Sequence, residues 1–123
     1  MYEFDLPSNS SVSTKLDGGC FIGIDRHKLK HAPERAVHLA HEIGHCETDA
    51  FYCMYSPLVR RERLERKATV WAIRHLIPKR KLKEAISQGI CEEWELAEYF
   101  SVTREFVRAA ILYYTTGEVY MEI

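Results

Sequence analysis

His41, Glu42 and His45 form an H-E-x-x-H sequence inside an apolar run of helical period. Side chains four apart stack on one face of a helix, so both imidazoles can aim a ring nitrogen at a single point. Imidazole nitrogen is a preferred zinc donor, and two of them converging begin a zinc site. Glu42 projects from the same end of that face without having to be a ligand. That is the place from which a general base takes a proton from water held at a metal. The plain alternative is a pair of ordinary core or surface histidines, and the context argues against it. Pro33 and Glu34 suit a first helical turn, and Ala36, Val37, Ala40 and Gly44 continue a small apolar stripe.

A catalytic zinc usually keeps three protein ligands and one open position. Glu62 and Glu65, in the next helical segment, are the natural candidates for the third. Glu65 shares a face with Ala68, Ala72 and Leu76, the inward side, whereas Glu62 lies among arginines. A carboxylate turned inward needs compensation, and a cation supplies it. We therefore expect His41, His45 and Glu65 to hold one Zn2+ per chain, with Glu42 as the base. Nitrogen and oxygen donors would also accept manganese, iron or cobalt. Metal-assisted attack of water on a carbonyl would further require a group that stabilises the oxyanion, for which Tyr52, Tyr55 and His75 are unranked candidates. Asp49, or less favourably Glu47, could accept the second N–H of a ligand histidine, though a solvated loop acid is the simpler expectation. His38, one turn before His41, belongs beside the ligands rather than among them, and His27, His31 and His75 read as surface residues.

These side chains must be positioned by an α+β fold, a small zincin-like domain. We expect it to be mostly helical, with an N-terminal β-hairpin or small antiparallel sheet packed beside the H-E-x-x-H helix. Residues 1–10 look irregular around Pro7. Val12–Leu16 and Cys20–Asp25 are strand-like runs around Asp17-Gly18-Gly19, a hairpin signal whose glycines supply positive φ. The edge of such a hairpin could seat an extended substrate. Helices are expected over about 33–46, over Val59–Ile77 ended by Pro78, and over Lys79–Gln88 capped by Gly89. Two more should run over Glu92–Phe100 and Arg104–Thr115, with Thr103 as N-cap, ahead of a short, extended tail. Residues 47–58 read as a loop over the metal face. Residues 1–123 are taken as a single metallopeptidase domain. It divides into a β-rich part (1–32), the metal-binding helices (33–78) and a C-terminal helical part (79–123).

A length of 123 residues, 46% apolar and 28% charged, suits one soluble core. No run is long enough to cross a bilayer, and the acidic start lacks the order of a secretory signal, so a cytoplasmic protein is expected. Cys20, Cys46, Cys53 and Cys91 are scattered without scaffold spacing, which a reducing compartment would keep as thiols, most of them small core residues. Cys46 points about a quarter-turn off the ligand face, so it is not expected to bind the metal. The net charge of −1 is unevenly spread. Arg60–Lys83 holds ten basic residues against Glu62 and Glu65, so the rest of the chain is acidic. This band is a solvated basic helix face, or a surface that steers an acidic partner. The last two helices resemble a helix-turn-helix, yet residues 92–123 hold seven acids and two bases, and phosphate would be repelled. Nucleic acid is not an expected partner.

Leu39–His45, then Glu65-Arg66-Lys67-Ala68 through Ala72, then Leu76-Ile77-Pro78, together resemble the ImmA/IrrE family of metallopeptidases of phages and mobile elements. That family has a zinc-binding H-E-x-x-H helix and a glutamate opening an E-x-x-A segment that closes on an apolar pair and proline. The likeness is strong over about residues 20–78. Trp71 stands where phenylalanine is usual, and Thr69 where asparagine or aspartate is frequent. The resemblance implies ligands His41, His45 and Glu65 and the base Glu42. It also implies a cytoplasmic endopeptidase that cleaves a specific regulator, such as a phage or mobile-element repressor. The alternatives are a non-catalytic, zinc-stabilised module that binds such a regulator and, less favoured, a DNA-binding regulator acting through the C-terminal helices.

Overall fold

The computed structural model describes residues 11–53 and 55–120, together with the backbone of 2–3. Strand β2 (Ser11–Leu16) turns through Asp17 and Gly18, both at positive φ, into β3 (Gly19–Ile24), and the two pair antiparallel with Ser11 opposite Ile24. The expected hairpin is present. A short β1 (Tyr2–Glu3) pairs parallel to β3, giving the sheet order β1-β3-β2. This corrects the expectation of irregular chain at those two residues. The remainder of 1–10, with Pro7, lies outside the described residues.

Helix α1 (Ala32–Thr48) has proline in its first turn with Glu34 beside it, as the sequence suggests. It ends at Asp49, whose left-handed backbone directs the N–H groups of Asp49 and Ala50 back to the last carbonyls, including that of His45. Helix α2 (Leu58–Leu76) starts after Pro57 and stops before Pro78, burying Leu64, Ala68, Thr69, Ala72 and Ile73. The short helix α3 (Lys79–Ser87) closes near Gly89, at φ +89°. Helices α4 (Glu93–Phe100) and α5 (Arg104–Thr116) meet at Ser101-Val102-Thr103, and the Thr103 hydroxyl accepts from the N–H of Phe106 as the expected N-cap.

The apolar core runs from Val37 and Ala40 on α1 through Ala72 and Ile73 on α2 to Leu96 on α4 and Phe106 and Val107 on α5. Fully burying a side chain of that size contributes roughly 1.5–3 kcal/mol. The tightest approach is between α1 and α2. A Cβ added at Gly44 would sit 2.5 Å from the Ala68 carbonyl oxygen and 3.1 Å from its Cα. Only glycine lets the backbones come so close, and Gly44 adjoins His45 while Ala68 is one turn from Glu65. The sheet lies against the outer part of α1, bringing Cys20 of β3 opposite Cys46, and the two form a disulfide across a Cα–Cα distance of 5.9 Å. Cys53 and Cys91 are exposed thiols. The expected set of buried thiols is thus not what the fold produces, because the contact of β3 with α1 is invisible in the spacing of the cysteines. No helix among the described residues is long and apolar enough to span a membrane.

Candidate metal centre

The period of α1 turns His41 and His45 to the same side, where both are buried, and α2 brings Glu65 across to them. One donor atom from each of the three lies within 4.8 Å of the others. Glu65 Oε2 is 2.7 Å from His41 Nε2, Glu65 Oε1 is 3.2 Å from His45 Nε2, and the two Nε2 atoms are 3.1 Å apart. Glu62 is exposed and stands outside this group. The Glu65 side chain is 37% exposed, so the cluster opens to solvent on the side of the loop after α1.

The outer contacts decide whether these donors suit a cation. His45 Nδ1 bonds the carbonyl of Ala50, which can only accept, so that nitrogen carries a proton and Nε2 is the one turned to the cluster. His41 Nδ1 lies 3.2 Å from the hydroxyl of Thr69, itself only 2% exposed. Donation to that hydroxyl leaves Nε2 of His41 turned to the cluster as well. Two imidazole nitrogens and a carboxylate converging about 3 Å apart suit a divalent cation, which would displace the protons they share without it, and partners on the far nitrogens are what orient such ligands. Asp49 does not serve His45. Its carboxylate pairs at 3.0 Å with Lys15 of the hairpin, because the left-handed turn at Asp49 carries the Ala50 carbonyl to the imidazole instead. Glu47 is exposed.

Electrostatics follow the same geometry. Burial disfavours the charged form of His45, but the hydrogen bonds it donates to Glu65 and Ala50 outweigh it and raise its pKa above 6.5. Burial likewise works against the Glu65 anion. Hydrogen bonds from His41, His45 and Tyr52 prevail and hold it well below the usual carboxylate range. Burial and then the bond to Glu65 push Tyr52 up to about 12, so its phenol keeps its proton.

Glu42, 6% exposed, accepts a 3.0 Å hydrogen bond from the Ser13 hydroxyl of β2. His38 does not join the metal group. Its Nδ1 meets the Ser11 hydroxyl at 3.0 Å, and burial followed by the nearby charge of His41 lowers its pKa. Of the three oxyanion candidates, only Tyr52 reaches the cluster, donating to Glu65 Oε1 at 2.7 Å. Tyr55 is 87% exposed, and His75 is exposed, stacked on Trp71 with Nδ1 on that residue's carbonyl. His27 and His31 are exposed, as expected. Sequence reasoning missed Ser13, Ala50 and the role of Thr69. The one available signal was Thr69 itself, a small polar residue in the inward stripe of α2 one turn after Glu65.

In the C-terminal helix pair, Arg104 and Arg108 both pair with Glu93 of α4. Comparison with individual curated proteins gives no match, and comparison with solved structures gives none either. The profile of the M78 peptidases, described as the IrrE N-terminal-like domain, matches residues 4–112. With nearly the whole chain matched and an H-E-x-x-H helix facing a glutamate from the next helix, the protein belongs to the IrrE N-terminal-like, M78 peptidase family.

Proposed function

We propose that the protein is a zinc-dependent endopeptidase that hydrolyses a peptide bond in a specific regulatory protein, such as a phage or mobile-element repressor. The observation that carries this is the meeting of His41, His45 and Glu65 beside Glu42, with the cluster open to solvent. The family supports a protein substrate, and the repressor follows from the ImmA/IrrE resemblance. His41, His45 and Glu65 would hold the ion. A divalent cation there supplies Lewis acidity, which acidifies water and polarises a carbonyl.

The rest of the work falls to the chain. Glu42 takes the proton of the attacking water and returns it to the leaving amine. Ser13 fixes the Glu42 carboxylate by donating to Oε1, leaving Oε2 for that proton. Thr69 and Ala50 hold the two imidazoles in the tautomers that keep Nε2 available. Tyr52 stays a phenol and can swing its O–H from Glu65 to the carbonyl oxygen as that atom gains charge. Among the described residues strand β2 is an edge of the sheet, and it lies beside α1, where an extended peptide can pair with it. Exposed Tyr52, Tyr55 and Leu58, in and just after the loop that follows α1, offer apolar surface to the substrate's side chains.

The test is incubation of the zinc-loaded protein with a candidate repressor. Fragments should form, disappear with chelator, and be absent with Glu42→Gln, whose zinc content and fold stay intact. Binding of the repressor without fragments, equally by wild type and Glu42→Gln, would replace the enzyme by the non-catalytic zinc module.

A further inference from the structure

A second feature lies where α2 meets α3 and the end of α5. Arg66 and Arg74 of α2, Lys79 of α3, and Tyr113 and Tyr114 of α5 line an open cavity of about 580 Å³, and none of the metal group borders it. That volume is in the range of small-molecule sites, roughly 300–1,000 Å³.

Among the described residues no acid offsets its charge. Arg66 donates to the carbonyl of Gly117 at 2.9 Å and Arg74 to the Tyr113 hydroxyl at 2.8 Å, while the Arg74 guanidinium lies 5.8 Å from the centre of the Tyr113 ring. Both acceptors are neutral, so they orient the guanidinium groups without cancelling their charge. Among the described residues no ion pair involves Arg66, Arg74 or Lys79. Three like charges around one cavity repel one another, and each guanidinium uses one of its five N–H donors here. The guanidinium groups are oriented but exposed, with donors that an anion could take from solvent. A single carboxylate would neutralise one of the three charges, whereas a phosphate carries up to two and matches the fork of arginine. The cavity exceeds what a lone phosphate fills, and its remaining wall is the pair of half-buried tyrosines.

We propose that this cavity binds a phosphate-bearing small molecule of mononucleotide size. Its phosphate would lie on Arg66, Arg74 and Lys79, and its ring against Tyr113 and Tyr114. The ion-pair partner of Arg66, Arg74 and Lys79 is then supplied by a ligand. This does not rest on the peptidase activity.

Titrations of 15N-labelled, zinc-loaded protein with AMP, with inorganic phosphate and with a short polyglutamate peptide, all at low ionic strength, test it. AMP should bind more tightly than inorganic phosphate and shift amide signals around residues 66–79 and 113–117, leaving those of residues 41–45 in place. Lys79→Gln and Arg74→Gln should each weaken AMP about tenfold, the loss expected for one charge-assisted hydrogen bond. Among the described residues Lys79 makes no side-chain hydrogen bond, so a normal melting temperature for Lys79→Gln secures the comparison. No AMP binding at millimolar concentration would overturn the proposal. So would equal AMP affinity in both variants, equal affinity for AMP and inorganic phosphate, or binding of polyglutamate alone.

Discussion

Gly44→Ala is the perturbation that most directly examines how the fold builds the metal centre. The new methyl would begin 2.5 Å from the Ala68 carbonyl oxygen, against an ordinary contact of at least 3.4 Å, so α1 and α2 must part by about 0.9 Å. The atoms in the way are backbone, with no rotamer by which to retreat. Overpacking of this kind costs about 1–3 kcal/mol. Alanine returns about 1 kcal/mol through its better helix propensity, which leaves a net loss of up to about 2 kcal/mol. At about 4 °C per kcal/mol for a chain of this size, melting should fall by several degrees. The shift also carries Glu65 on α2 away from His41 and His45 on α1, so zinc affinity should drop by about 10- to 100-fold, the scale seen when support for metal ligands is lost. Thermal melts of the metal-free protein and competition with a chromophoric chelator give the two readouts. A variant that melts at or above wild type and binds zinc equally well would refute the idea that close helix contact at Gly44 sets the position of Glu65.

Three further outcomes are expected. In the metal-free protein, the raised pKa of His45 stabilises fully below its usual value of 6.5 and less as pH rises through the folded value. Glu65, depressed, stabilises above its usual 4.5 and less as pH falls through its folded value. The urea midpoint without metal should therefore be highest between about 4.5 and 6.5 and decline above, a decline that zinc reverses; a flat profile would contradict this. Zinc affinity should rise with pH over the same neutral range, because the ion replaces protons on the imidazoles, and calorimetry that finds no proton release would count against it. Tyr52→Phe should keep its zinc and lower kcat by about 10²-fold with little change in KM, the loss typical of one oxyanion donor; an unchanged kcat would remove Tyr52 from catalysis.

Local patterns made much of this legible. The four-residue spacing of His41 and His45, the apolar stripe behind them, the Asp17-Gly18 turn and Thr103 before α5 each act within one turn of chain, and each appears where the sequence puts it. Glu65 could be chosen over Glu62 because Ala68 and Ala72 mark the buried side of α2. What escaped depends on contacts between distant segments or on backbone atoms, which have no letter in the sequence. The Ala50 carbonyl displaced Asp49 as partner of His45, Ser13 reached Glu42 across 29 positions, and Cys20 met Cys46 only because β3 lies on α1. Two residues of β1 carry too little pattern to announce a strand. Thr69 was visible as a departure from the family's usual residue, and its hydroxyl lies 3.2 Å from His41 Nδ1.

Direct metal analysis of the purified protein, alongside Glu65→Gln and His45→Ala, bears hardest on the whole scheme. One tightly held zinc per chain is expected in the wild type, at least tenfold weaker binding after Glu65→Gln, and none retained after His45→Ala. Zinc absent from the wild type, or kept undiminished by both variants, would contradict it.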